Sequence, residues 1–297
     1  MKILVTGASG QLGSYLVEYL SKDHEVTGLD LRNPAIKREG FQFVQGDIND
    51  YRLAMDSCRG KDAVIHTAAQ VSVDRSITDP VFDARENILG TVNMLEAATK
   101  SMVGHFIYIS SAAIYGTPQK IPVGEDHPTK PLSPYGVSKL AGENYAFAFG
   151  ETYGLNVTGI RPFNIYSQRQ DPDSPYSGVI TRFVDRVKEG KPPVIHGDGT
   201  QTRDFVHASD VIKMIGLCLE KTESARGKTF NCGTGKGISI RELADTIIEI
   251  SGKKLETELA PPRKGDIKDS VADISRAKKI LGYKPGVKLK EGLSELL

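Results

Sequence analysis

The chain opens with Val5-Thr6-Gly7-Ala8-Ser9-Gly10-Gln11-Leu12-Gly13, set directly between an apolar run and an amphipathic one. Lys2–Thr6 reads as a short buried strand, and Gln11–Lys22 places Leu12, Leu16, Tyr19 and Leu20 at helical spacing. Three glycines spaced GxxGxxG at such a junction constrain the backbone more than any other feature of the chain. Gly7 suits the tight turn, Gly10 lets a pyrophosphate approach the backbone, and Gly13 lets helix and strand pack closely. The free N–H groups at the helix start, those of Gln11, Leu12 and Gly13, then face the anion. The same alternation continues downstream. Glu25–Asp30, Phe41–Gln45, Asp62–His66, His105–Ser110 and Asn156–Arg161 read as short buried strands, and Asn87–Lys100 as a helix. Strands alternating with helices predict an α/β fold, a Rossmann-type doubly wound parallel sheet covered on both faces.

After Arg161 the texture changes. Ser167–Ser177 reads as a polar loop and Gly197-Asp198-Gly199-Thr200 as a tight turn. Helical patterns return at Ala208–Glu220, Ser239–Ser251 and Asp273–Leu281, with few apolar strands between them. We therefore expect a dinucleotide-binding domain over 1–163 and a smaller α/β substrate-binding domain over 164–297, the second sending a segment back to the first.

Charge and cysteine use narrow the partners. Lys and Arg number 38 against 37 Asp and Glu, so no global field exists to attract nucleic acid or an anionic membrane. No apolar run approaches the ~20 residues of a spanning helix. Cys58, Cys218 and Cys232 stand singly, and the histidines show neither HExxH nor H-x₃-H spacing. We expect no disulfide framework, no metal and a reduced, cytoplasmic setting.

Two local patterns point to chemistry. Asp30 ends the second strand about 20 residues after the glycines, where a carboxylate accepts from adenosine ribose hydroxyls and repels a 2′-phosphate. This favours NAD over NADP. Asp47 and Ile48 end the third strand, where the adenine is expected; Asp47 reads equally as a strand-end cap. Further on, Ser133 and Pro134 suit the start of a helix on which Tyr135 and Lys139, four apart, share one face. Lys139 beside Tyr135 is expected to lower the phenol from about 10 towards neutrality, and an oxidised nicotinamide ring to push the same way. Tyr135 then takes a proton from a substrate hydroxyl while hydride leaves the same carbon, with Ser111 hydrogen-bonding that oxygen.

With these motifs in place, the chain resembles the extended short-chain dehydrogenase/reductases of the NAD-dependent epimerase/dehydratase group, and among them the UDP-glucose 4-epimerases. The resemblance runs along essentially the whole chain. It rests on the glycine loop, His66-Thr67-Ala68-Ala69, Asn87 with Gly90-Thr91, Ser110 to Gly116, Tyr135/Lys139, Arg161-Pro162-Phe163-Asn164, Gly197 to Phe205, and Arg263-Lys264-Gly265-Asp266. Ser167-Gln168 departs from it, standing where Gly-Pro is usual. The resemblance implies that Ala68 and Ala69 pass beside the cofactor and that Asn87 lies near its pyrophosphate. It implies that Asn164, Arg203 and Arg263 hold the diphosphate of a sugar nucleotide, and that Val194 and His196 line the uracil. Ser270, seven residues after Arg263, would face the sugar C2 substituent, where a small residue admits an N-acetyl group.

The reaction is narrowed by Ala112 and Ala113. They stand where related 4,6-dehydratases carry an Asp-Glu pair, and where related decarboxylases keep a Glu at the second position. C4 epimerisation of a UDP-hexose, through a transient 4-keto sugar and with NAD retained, is the remaining expectation. The alternatives are a UDP-uronic acid 4-epimerase or another nucleotide-sugar oxidoreductase, and a non-catalytic NAD sensor, for which the intact proton relay has no use. A homodimer is implied, through helices near Asn87–Lys100 and Ser138–Thr152.

Overall fold

The computed structural model describes residues 1–34, 40–170, 178–262, 265 and 267–297. Six strands alternate with helices in the first half: β1 (Lys2–Thr6), β2 (Glu25–Asp30), β3 (Phe41–Gln45), β4 (Ala63–His66), β5 (His105–Ile109) and β6 (Val157–Pro162). With a seventh strand, Lys228–Cys232, they form one sheet in the order Lys228–Cys232, β6, β5, β4, β1, β2, β3. Every neighbouring pair is parallel. Strand order reverses beside β1, so a crevice opens there at the carboxyl ends of the strands.

The sheet is buried on both faces because successive side chains of a strand point oppositely. Ile3 and Val5 of β1 join the layer holding Leu16 and Val17 of helix α1 (Gln11–Leu20) and Val211 and Ile215 of the helix Ala208–Glu220. Leu4 joins the other layer, with Ala54 and Cys58 of α2 (Tyr51–Cys58) and with Met94 and Leu95. On that second face lie α3 (Val73–Thr78), α4 (Pro80–Ala84), a π-helical turn over Arg85–Leu89, α5 (Gly90–Lys100) and the long α6 (Pro134–Tyr153). Among the described residues no helix is long and apolar enough to cross a membrane.

The strand Lys228–Cys232 lies beyond residue 163 yet pairs with β6, from Lys228↔Thr158 to Cys232↔Pro162. Its sequence, KTFNC, lacks the continuous apolar run expected of a central strand. Asn231 is nonetheless fully buried, because Tyr115, Val123, Glu125 and Asp273 satisfy its polar atoms. Residues 164–297 also hold a core of their own, built from Ile180, Phe183, Ile195, Phe205, Leu243 and Ile247.

Candidate active site

The glycine loop behaves as its spacing demands. Gly7 sits at φ +69, and a Cβ there would come within 2.7 Å of the Ala68 amide nitrogen. A Cβ on Gly13 would sit 2.0 Å from the Gly7 carbonyl oxygen, so α1 packs on β1 at a distance only glycine permits. At Gly10 the only atom near a built Cβ is the Gly7 oxygen, so any side chain there would project into the crevice. Gly10 gives α1 no side-chain cap, which leaves the first-turn amides of Gln11, Leu12 and Gly13 for an anion. Ala68 crosses directly beside this loop, with Ala69 next in the chain, and the segment is tied down by Thr67 Oγ1 donating to the Thr6 carbonyl at 2.6 Å.

Asp30 is held at the carboxyl end of β2. Its Oδ2 accepts from the Ser9 amide and its Oδ1 from the Arg32 amide, each at 2.9 Å. Each oxygen keeps a second lone pair for a ribose hydroxyl. The cradle, the amide cluster and this carboxylate fit an adenine dinucleotide. Asp47 uses Oδ1 to accept from the backbone and side chain of Asn49. Ile48 is 7% exposed and packs in the core layer, with a Cβ on Gly90 coming 2.5 Å from its Cδ1.

Asn87 is held firmly by the protein. Its side chain is 1% exposed and wholly engaged by protein. Oδ1 accepts from the Gln70 amide, while Nδ2 donates to the Gln70 carbonyl, Asp83 Oδ1 and Ser138 Oγ. It ties the loop after β4 to α6. It sits on the π-helical turn, a bulge that re-aims one side chain inside a helix.

Tyr135 and Lys139 lie on the first turns of α6. Ser133 caps the helix by accepting from the Gly136 amide at 3.2 Å, and Pro134 occupies the first helical position. α6 approaches β5 so closely that a Cβ on Gly142 would fall 2.4 Å from the Tyr108 hydroxyl. Lys139 is 4% exposed, with Nζ 4.6 Å from the Tyr108 ring centre. Ser111 follows β5 and lies close enough to Tyr135 for its hydroxyl to favour the phenolate. Ser111 also caps the short turn Ala112–Tyr115, accepting from the Ala113 amide at 3.1 Å. So Ser111, Tyr135 and Lys139 converge, with Ala112 and Ala113 immediately behind.

The electrostatics correct one expectation. Burial raises the Tyr135 phenol, Asp83 adds to the rise, and the Ser111 hydroxyl opposes both. Lys139 is not among the groups that set the phenol here; burial, which penalises the phenolate, dominates. Lys139 itself is pushed down to about 8, chiefly by burial, with Glu143 and Asp83 holding it up.

The second half supplies further groups. Asn164 starts a short strand, Asn164–Tyr166, paired with Phe205–His207, and its Nδ2 donates to the Asp204 carbonyl at 3.2 Å. That places it beside Arg203, whose Nη1 donates to the carbonyls of Thr202 and Lys268. Ser270 is the direct register partner of Arg203 in a parallel pair, so the two side chains share one face. Val194 and His196 flank the buried Ile195, so both lie on the opposite, half-buried face of their strand. Arg263 lies outside the described residues. The unusual Ser167-Gln168 is used: Ser167 Oγ accepts from Gln11 Nε2 at 2.8 Å, and Gln168 donates to the Glu295 carbonyl at 2.7 Å.

Two functional neighbours escaped sequence reasoning. Asp83, 1% exposed, braces Gln70 and Asn87 under α6. Glu143 and Arg161 form a buried ion pair behind Lys139. A signal existed for the second: Arg161 is the one charged residue of a strand buried along its whole length, VTGIRP, and a buried guanidinium requires an acid.

The family model described as the NAD dependent epimerase/dehydratase family matches residues 3–233. A UDP-glucose 4-epimerase of Mycolicibacterium smegmatis is 40% identical, over 99% of this chain and 97% of its own. The crystal structure of a UDP-glucose 4-epimerase from Thermotoga maritima with UDP-glucose is 37% identical at a TM-score of 0.94, covering 100% of this chain and 97% of its own. A UDP-N-acetylglucosamine 4-epimerase from Methanobrevibacter ruminantium, in complex with UDP-N-acetylmuramic acid, is 32% identical at a TM-score of 0.93, covering 99% and 96%.

Proposed function

The chain belongs to the NAD dependent epimerase/dehydratase family, and on that premise we propose that it inverts C4 of UDP-hexoses, both the glucose/galactose pair and their N-acetylated counterparts. The observation that carries the reading is the convergence of Ser111, Tyr135 and Lys139 with two alanines, Ala112 and Ala113, directly after the serine. A proton shuttle is present at the reacting oxygen, and at these two positions there is no acid to eliminate water from the sugar.

NAD, when bound, would supply reversible hydride acceptance at C4. Gly7, Gly10 and Gly13, the amides of Gln11 and Leu12, and Asp30 would hold it, with Asp47, Ile48, Ala68, Ala69 and Asn87 as further neighbours. Tyr135 accepts the proton of the 4-hydroxyl, and Ser111 holds that oxygen in place. Lys139 supplies positive charge to the phenol. Arg203, Asn164 and Arg263 anchor the diphosphate through charge-assisted hydrogen bonds, and Val194 and His196 border the base. The nucleotide stays fixed while the 4-keto sugar turns about its link to the phosphate and presents its other face. Proton and hydride then return, and Tyr135 ends as it began.

Incubating the protein with UDP-galactose and with UDP-N-acetylgalactosamine, without added cofactor, tests this. Each should yield its C4 epimer, and absence of both products would overturn the reading.

We also propose a homodimer. Ile77, Val81, Leu89, Val137 and Tyr145 are 62%, 78%, 58%, 51% and 46% exposed on α3, α4, the π-helical turn and α6. Light scattering should give twice the 32.3 kDa chain mass, and Val81→Glu with Tyr145→Glu should give the single mass.

A further inference from the structure

Behind the proton relay lies a buried ionic cluster that the reaction described above does not use. Tyr135, Lys139 and Glu143 are spaced by four and form one stripe of α6. Glu143 is 3% exposed and faces β6, where Arg161 grips it by both oxygens: Nε donates to Oε2 at 3.0 Å and Nη2 to Oε1 at 2.5 Å. Arg161 is itself pinned, with Nη1 donating to the Tyr115 hydroxyl and to the Glu125 carbonyl, each at 2.8 Å. Tyr115 passes the chain on to Asn231 at 2.6 Å.

Lys139 meets charged or titratable groups from several elements. Glu143 lies on its own helix, Asp83 on α4, His66 on β4, Tyr108 on β5 and Tyr135 one turn before it. His66 is neutral and bracketed by Thr6 at 2.8 Å and Thr91 at 3.1 Å, so it supplies no charge. Around Lys139 the buried carboxylates are Glu143 and Asp83; a third, Glu125, lies beyond Tyr115 and Asn231 and faces Arg276 instead. A buried ammonium without a carboxylate sheds its proton.

We propose that Glu143 is the counter-charge that keeps Lys139 protonated beside Tyr135, and that Arg161 is a positioning residue that holds this carboxylate back so that it acts through space. The fork on Arg161 keeps the carboxylate from closing onto Nζ and drawing the ammonium away from the phenol. The proposal rests on the proton-relay reading of Tyr135 and Lys139.

Opposite signs make it testable. In Glu143→Gln the shape is kept and the charge is lost, so the basic limb of the kcat–pH profile should move down by about one pH unit. In Arg161→Met the carboxylate is freed towards Lys139, so the same limb should move up while kcat falls. KM for UDP-galactose should stay within about twofold in both, since neither residue is placed at the nucleotide. If Glu143→Gln does not fold, Glu143→Asp, with its charge retained but withdrawn by one methylene, should shift the limb part of the way down. An unshifted limb in the folded Glu143 variant, or limbs moving the same way in both variants, would overturn the proposal and leave the pair as a fold clamp. Tyr135→Phe is measured alongside. If that variant turns over normally, the relay reading itself fails; if it is dead while the limbs stay put, only the role of Glu143 and Arg161 falls.

Discussion

Tyr135 and His66 show how one environment sets two different protonation states. Burial raises the phenol of Tyr135, which stays protonated until a base or a cation draws on it. Tyr135→Phe should lower kcat by about 10²–10⁴. UDP affinity by calorimetry should be unchanged; turnover near the parent level would remove Tyr135 from the relay. The same burial pushes His66 down to about 3 and His105 down to about 4, from an ordinary 6.5. Between those values the unfolded chain binds protons that the native chain does not, so acid favours unfolding. Stability should be full above pH 6.5 and fall as the pH drops through the window, by up to about 1.4 kcal/mol per pH unit for each histidine. Thermal melts at pH 7 and pH 5 check this. His66→Asn should show the smaller difference between them, and an unchanged difference would place the acid sensitivity elsewhere.

Among the elements, the glycine loop and α6 do their work by close approach. Asp30 closes the loop's ligand set at the end of β2, its oxygens aimed by the Ser9 and Arg32 amides. Asp30→Ala should weaken NAD binding and relax discrimination against NADP, read by fluorescence titration with the reduced forms. A parent protein that prefers NADP would defeat the ribose assignment. For α6 the contact is Gly142 against Tyr108, where a Cβ would be 2.4 Å from the hydroxyl. Gly142→Ala should cost about 1–3 kcal/mol, the usual range for overpacking. Because the same helix carries Tyr135 and Lys139, kcat should fall with it. A chemical melt and a kinetic assay on one preparation separate the two, and full turnover would mean that the helix yields without moving its first turns.

At the scale of the whole molecule, the proposed reaction draws on both halves of the chain. Ser270 is paired with Arg203 on a small sheet of three short strands, while Tyr135 and Ser111 belong to the large one. On the proposed reading, substrate choice depends on how these two parts meet. Ser270→Tyr should cut turnover of UDP-N-acetylgalactosamine roughly tenfold or more, the equivalent of 1–3 kcal/mol of overpacking. Turnover of UDP-galactose should change much less. Equal loss on both sugars would show that Ser270 does not face C2.

Sequence alone determined the sheet's first six strands, the glycine loop, the capped start of α6 and the sharing of one face by Tyr135 and Lys139. These rest on local rules: period two for strands, period 3.6 for helices, and glycine where a Cβ has no room. Tertiary structure alone decided the seventh strand, since KTFNC is buried by hydrogen bonds to Asn231 contributed from positions far along the chain. It also decided the partners of the Asn87 amide, since Gln70, Asp83 and Ser138 are gathered around it only by the fold. And it decided the state of Tyr135. A neighbouring lysine four residues away is visible in sequence; the desolvation that dominates the phenol arises only when α6 settles against β5 and the loop bearing Ser111.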